Sequence, residues 1–407
     1  MSDKFSLQTE NGSIFGGFRR NLFFDKLDSN NVNVNEIQNN KTVLLKDPRK
    51  EGRSMGKEPF LHKMKRYIDD FDETFGGERK TESDHIDSEG MEELEISAEE
   101  TDVVVHTHEK EIVDLKLETY EGGPTLETDK TGVKVRVNVH GRKSGITFGR
   151  RSLSELRIFV PKRLWAKVSI ETQSGEIAVA DVEASRFGSK SGSGEVEIRG
   201  VRASEASVKT GSGKLEVKEF EGESFSFASE SGEVLLAKMR GNIQGKNRSG
   251  EISVYQCEGM EIHLKNKSGS IEARKVTAEN VSLRTSSGEI EMDELRARET
   301  LLDSRSGEII GGRLTGDLRS KATSGEVELD FTEAGRNIFV ETNSGDIELR
   351  QKGKTWNAEL KIETNSGDIE VPAETVGIRR DHYYEGAIGS GEGRIELRSR
   401  SGDIAIF

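Results

Sequence analysis

The chain carries one cysteine and five prolines in 407 residues, and no stretch of it approaches the ~18 consecutive apolar residues that a membrane-crossing helix requires. A lone thiol, Cys257, excludes a disulfide framework and any metal site built from several cysteines. Proline is scarce while glycine numbers 44, which fits neither collagen nor a Pro-rich linker and points to many tight turns between uninterrupted strands. Aromatic residues make up only 6%, and apolar residues at 32% are matched by 33% charged ones, so the core per residue must be thin. Basic excess is also lacking. With 60 Lys and Arg against 74 Asp and Glu the net charge is −14, which argues against a general nucleic-acid binder, because phosphate neutralisation needs positive charge. The opening MSDKFSLQTENGSIFGG lacks the basic-then-apolar order of a secretory leader, so the expected location is the cytoplasm, with association to the envelope as the alternative.

What the sequence does contain is a repeat. A Ser-Gly-acid-aliphatic unit recurs with its serines at 174, 193, 212, 231, 249, 268, 287, 306, 324, 344, 366, 390 and 401, and the first nine steps are 19, 19, 19, 18, 19, 19, 19, 18 and 20 residues. In the unit that starts at Ser193, the small or apolar residues Val196, Ile198, Val201, Ala203, Ala206, Val208 and Thr210 are spaced by two, broken by steps of three. Steps of two are strand alternation, and each step of three marks a corner. Three short strands and three corners per unit describe one coil of an all-β, single-stranded β-solenoid (β-helix) of about 18–19 residues per coil. Right-handed winding, about thirteen coils and a length of roughly 60 Å at 4.8 Å per coil are expected.

The Ser-Gly pair marks one corner of every coil. Its glycines, Gly175, Gly194, Gly213, Gly232, Gly250, Gly269, Gly288, Gly307, Gly325, Gly345 and Gly367, supply the positive φ of a tight turn, and the serine hydroxyl is expected to bond the local backbone. The stretches ETQSGEIAV, ETNSGDIEL and ETNSGDIEV, with the Pro-containing leading strand LRIFVPKRLWAKVSIETQSGEI, resemble the bacterial candidate-adhesin family of β-strand-repeat domains of unknown function (domain of unknown function 4097 type), over roughly residues 91–407. The resemblance implies a β-helix with no established activity, no cofactor and no catalytic residue to carry over; relatives often sit near envelope-stress genes.

Ahead of the regular repeat, residues 91–170 contain DVVVH, VKVRVNV and LRIFV, and read as irregular first coils of the same solenoid before the regular repeat over 171–407. Residues 1–90 are Asn-rich, charged and poor in aliphatics, and are expected to be largely flexible. Within them Leu61, Met64, Ile68, Phe71 and Phe75 form the apolar stripe of an amphipathic helix near 60–75, with Gly76-Gly77 as its stop. Its charges oppose the helix dipole, so it needs a surface to dock on: the solenoid end, a protein partner or, at the periphery, a membrane.

Acids recur two residues after the repeat serines, at Glu176, Glu195, Glu233, Glu251, Glu289, Glu308, Glu326, Asp346, Asp368 and Asp403, interrupted by Lys214 and Ser270. Of these Glu251, Glu289, Glu308, Glu326, Asp346 and Asp368 are the candidate docking acids. Unit charges one rung apart repel by about 1 kcal/mol in water, so the column needs countercharge, for which the stripe Lys190, Lys209, Lys246, Lys265, Arg284 and Lys321 just before the corner is the expected source. The bland reading is a solvated face. The functional one is a docking face for a divalent cation, a basic protein or a cationic wall component.

No catalytic or metal constellation emerges. Cys257 falls at an inward position, and only His106 and His108 stand close among the histidines, without a third ligand. Arg379, Arg380, Asp381, His382, Tyr383 and Tyr384 lie in the one segment that breaks the repeat; it reads either as a loop closing the stack or as a glycan or peptide site. The chain ends on SGDIAIF without a capping element, so a bare final coil and self-association through the solenoid end are expected. The sequence thus points to a non-catalytic scaffold or interaction protein with no cofactor. A surface glycan-binding adhesin is the alternative, and a carbohydrate-active β-helix enzyme a remote one.

Overall fold

The computed structural model describes residues 79–141 and 154–407; the helix expected near 60–75 lies outside them. The described residues are all-β, without a helix, and form one continuous 26-stranded sheet wound into a β-solenoid of about ten turns.

One coil shows how the sequence makes this shape. After the corner at Gly213, residues 215–218 form the first side, with Leu215 and Val217 pointing inward. The chain turns at Glu219, whose φ is +61°. A short second side follows with Phe220 buried, then a turn at 222–223, then the third side at 224–229 with Phe225, Phe227 and Ser229 inside. Each side pairs in parallel with the same side of the next coil, Leu215 with Val234, Phe220 with Met239 and Phe225 with Ile243. Inward apolar residues therefore stack in columns through the whole core. Every apolar position expected in the unit from Ser193 is buried.

The corner works differently from the expectation. The serines at the corners are exposed or half-buried, and their bonds to a neighbouring coil are long, 3.4–3.5 Å for Ser249 Oγ to the Glu230 carbonyl and Ser231 Oγ to that of Gly211. The corner is instead held from inside by a buried polar column that includes Thr172, Ser191, Asn247, Asn266 and Thr285. Thr172 and Ser191 accept the N–H of Gly175 and Gly194, both at 2.9 Å, while Asn247 and Asn266 Nδ2 donate to the carbonyls of Gly232 and Gly250 at 3.1 and 2.7 Å. A turn buried on one side strands main-chain polar groups that water cannot reach, and a short polar side chain satisfies them.

Glycine is required at the corner for two reasons. At Gly288 φ is +138°, and a Cβ would stand 2.3 Å from the Gly269 carbonyl oxygen of the preceding coil. Gly175 and Gly194 do not share the left-handed backbone, yet a Cβ there would approach a carbonyl oxygen to 2.0 Å, so close stacking alone demands glycine. Gly288→Val is therefore expected to destabilise the protein by about 2–4 kcal/mol, because neither backbone can give way. Glu251→Gln, on the exposed face, should change stability by no more than about 0.5 kcal/mol. Urea melts of the two variants that ranked them in the opposite order would show that the acid column, not the corner, holds the stack.

Both ends of the stack are tucked. The strand Asp102–His108 is held between Glu155–Pro161 and Ile177–Ala180, and Glu93–Ala98 between Lys134–His140 and Leu164–Thr172. Antiparallel strands finish this end: Ile112–Tyr120 and then Arg79–Asp87 on one side, Thr125–Thr131 on another. The sheet thus already includes residues 79–87, ahead of the first irregular coils. At the other end Gly393–Ser401 lies between Val327–Ser344 and Ala358–Thr364, and Ile404–Ile406 between Ile347–Gln351 and Ile369–Glu370.

This order overturns the expected bare C-terminal coil. The chain builds the coil of Ser366 one rung too far out, closes it with the antiparallel strands Val376–Arg380 and Tyr383–Ile388, and returns to fill the gap with its last residues. Would-be Cβ atoms on Gly402 and Gly367 meet the carbonyl oxygens of Gly345 and Gly402, which fixes the stacking order as 345, 402, 367. Ser390-Gly391 is not a corner at all; it sits in the loop leading back into the stack. That is one reason why counting serines overstates the turns.

Candidate functional site

The acid column is present, but its stacking order differs from its sequence order. In stack order its C-terminal half reads Glu289, Glu308, Glu326, Asp346, Asp403, Asp368, with Asp403 between the two aspartates that flank it in space. Glu251, two rungs earlier, is separated from this run by Ser270. The shorter aspartates fold back on the backbone: Asp346 Oδ1 accepts the Asp403 N–H, and Asp403 Oδ1 the Asp368 N–H, both at 2.8 Å. Among the described residues no lysine or arginine comes within 4 Å of the carboxylates of Glu308, Glu326, Asp346, Asp403 or Asp368. The basic stripe does not come within 4 Å of these carboxylates, and two of its members pair along their own column instead, Lys190 with Glu171 and Lys321 with Glu341 at 3.2 Å. Burial, and then the charges of Asp346, Glu328, Glu308 and Glu348, hold the Glu326 carboxyl above its ordinary range. No group of three or more His, Cys, Asp or Glu among the described residues converges as metal ligands.

A concave site lies on a different side. The left-handed corner after the first side recurs at Asp181, Glu219, Lys238, Gln256, Lys275, Glu294 and Arg313, with φ between +54° and +61°, and Gly200 stands in the same column. Beside it the short second side presents Glu183, Arg202, Glu221, Arg240 and Glu258, whose charge alternates from rung to rung. Together the two columns line a groove of about 950 Å3, walled at one end by Thr107, His108, Glu109 and Lys162. Its charges are paired with one another: Arg202 with Glu183 at 2.9 Å and Glu221 at 3.6 Å, Lys238 with Glu219 at 3.0 Å, Arg240 with Glu258 at 3.8 Å. None of the site residues expected from the sequence marks this groove. The available signal was a column of non-glycine residues one position before the second side, but with Asp, Glu, Lys, Gln and Arg interchanged it has no recognisable motif.

The six residues of the candidate ligand loop are split up. Tyr384 is buried against the end of the core, Tyr383 bonds Glu385, Arg379 donates to the Ile369 carbonyl, and His382 Nδ1 lies 3.2 Å from the Gly367 carbonyl. Arg380 and Asp381 are exposed. The segment closes the stack and presents no paired aromatic platform. Cys257 is buried inside the solenoid, and burial pushes its thiol up to about 12. His106 and His108 both pack on Phe159, with ring centroids 5.9 and 6.2 Å away.

No curated protein matches the chain. Among solved structures, a candidate cell adhesion protein from Clostridium sporogenes is 10% identical with a TM-score of 0.18, the match covering 81% of this chain and 99% of that one. A candidate lipid-binding protein from Parabacteroides distasonis is 15% identical with a TM-score of 0.36 over 66% of this chain and 97% of its own. A candidate adhesin from Bacteroides fragilis is 12% identical with a TM-score of 0.19 over 81% and 97%. The profile of Toastrack DUF4097 matches residues 91–257 and again 242–407, the two matches meeting within consecutive coils, as expected when the repeating element is the coil. Matched along its length by that profile, the chain belongs to the Toastrack DUF4097 family.

Proposed function

We propose that the protein is a non-catalytic interaction scaffold that docks an extended, polar segment of a partner protein along the groove of its second side. The observation that supports this most is the alternation of charge from rung to rung. An extended backbone laid along the stack meets, every ~4.8 Å, a donor or an acceptor already held in place by its neighbour, so little side-chain entropy is lost on binding. The seven left-handed non-glycine corners support the same reading, since such strain tends to persist where a surface has a use. The nearly equal length of the regular coils argues against catalysis, because among the described residues no long loop overhangs the groove to shape a substrate or exclude water.

The test compares two surfaces. Reversing Arg202 and Arg240 to glutamate should abolish capture of the partner on immobilised protein while the melting temperature moves by no more than a few degrees. Neutralising Glu308 and Glu326 should leave capture intact. If the groove variant still captures, or if both variants lose capture equally, the groove is not the docking site.

A further inference from the structure

The two ends of the solenoid are unequal in a way that bears on assembly. At the N-terminal end the outer strand Thr125–Thr131 is plugged by acidic side chains and by its own lysine: Glu82 Oε2 accepts the Leu126 N–H at 2.9 Å, Asp84 Oδ2 accepts Thr128 Oγ1 at 2.6 Å, and Lys130 Nζ donates to the Asp87 carbonyl at 3.0 Å. Such plugs keep a sheet edge from recruiting another strand. At the C-terminal end the outer strand Val376–Arg380 pairs only with Tyr383–Ile388, and its other edge meets no strand among the described residues. All five of its residues are exposed, and Val376 and Ile378, at 79% and 63%, share one face by strand alternation.

We propose that this strand pairs, antiparallel, with the same strand of a second copy, giving a two-fold dimer through the C-terminal end of the stack. The strand is self-complementary. In a two-fold register centred on Ile378, Val376 faces Arg380 of the second copy and Gly377 faces its Arg379, so arginine is never opposite arginine. Glu374 lies just beyond Val376, on the side where Arg380 of the second copy stands, and brings an opposite charge to it. The pairing covers the two apolar side chains and satisfies the unpaired edge. Because the N-terminal edge is plugged, it closes as a dimer and does not propagate into a filament. The dimer surface is distinct from the groove and stands or falls without it.

Sedimentation equilibrium of the full chain reads the outcome. A concentration-dependent dimer is expected below about 100 μM. Ile378→Lys, at an exposed position, should raise the dissociation constant at least ~10-fold with an unchanged melt. Arg380→Glu should also weaken the dimer, and adding Glu374→Arg to it should restore the dimer. A monomer throughout, a dimer indifferent to Ile378→Lys, an open series of higher oligomers, or a double variant no better than Arg380→Glu would each overturn the proposal.

Discussion

Ile404→Lys is expected to cost about 3–5 kcal/mol and to melt the C-terminal coils as a separate unit. Ile404 is fully buried, sandwiched between Ile347 and Ile369, and no Asp or Glu is among the buried side chains of the described residues. A lysine there must either bury an unpaired ammonium or pull the strand Ile404–Ile406 out of the sheet, and the second is cheaper. Losing that strand also removes the neighbour of Ile369–Glu370 and weakens Gly393–Ser401, on which Ala358–Thr364 rests. Stability in a stacked repeat is close to a sum of coil and nearest-neighbour contributions, so the damage should stay near that end. Hydrogen exchange is the suitable readout: amides over 358–370 and 393–407 should exchange quickly in the variant while those over 215–325 keep their protection. A variant with native exchange at 393–407 would mean that the last strand is a replaceable edge, and the tucked order would be wrong. Phe407→Lys, at a half-exposed position, is the control and should change little.

That contrast also marks where the sequence stopped being informative. The repeat, its three sides and its inward columns were legible because they depend on local spacing: Val196, Ile198, Val201 and Val208 are buried as their period demanded. Stacking order is not local. Ser366 and Ser401 carry the same motif, and nothing in either coil states which lies outermost, since both offer the same edges to the same neighbours. The hint was the break in period after Ser344, together with Trp356, which packs edge-on against Phe331 at 5.9 Å and donates its indole N–H to the Phe407 carbonyl at 2.8 Å. The acid column was visible from Glu176 onward, but its extension to Asp102 and Glu155 was not, nor was the distance of any lysine or arginine from Glu308, Glu326, Asp346, Asp403 and Asp368: Lys321 pairs with Glu341 on its own column, a choice set by side-chain reach across neighbouring rungs. The groove was hidden for a different reason. Its corner turns left-handed on lysine, glutamine and glutamate, where glycine is the usual residue, and only the surrounding stack enforces that turn.

Asp102→Asn is expected to stabilise the protein by about 2 kcal/mol at pH 8 and to have almost no effect at pH 4. Asp102 sits in the acid column at the tucked N-terminal end, with Glu155 on one side and Glu176 on the other, and its Oδ1 accepts the Glu176 N–H at 2.8 Å. Burial comes first among the causes that push its carboxyl up to about 7; the Glu176 N–H opposes that rise, and the charges of Glu176 and Glu155 add to it. In the unfolded chain the same group titrates near 3.9. Between about pH 4 and pH 7 the folded state therefore holds a proton that the unfolded state has released, so this group's contribution to stability falls as pH rises through that window and is flat outside it. A carboxyl raised that far would cost about 4 kcal/mol if fully desolvated, and solvent at the partly exposed edge of the strand reduces this to roughly half. Asparagine keeps the acceptor for the Glu176 N–H and removes the charge. Glu272, Glu326 and Glu348 are also raised, and Glu95, Asp114 and Glu216 are lowered, so the pH profile of either protein alone mixes several groups. The difference between the two profiles isolates Asp102. Urea denaturation of both proteins from pH 4 to pH 8 measures it: a gap that opens through the window is the expected result, whereas a constant gap, or a less stable variant at pH 8, would show that Asp102 is ionised at no cost, with its charge offset by the main-chain donor.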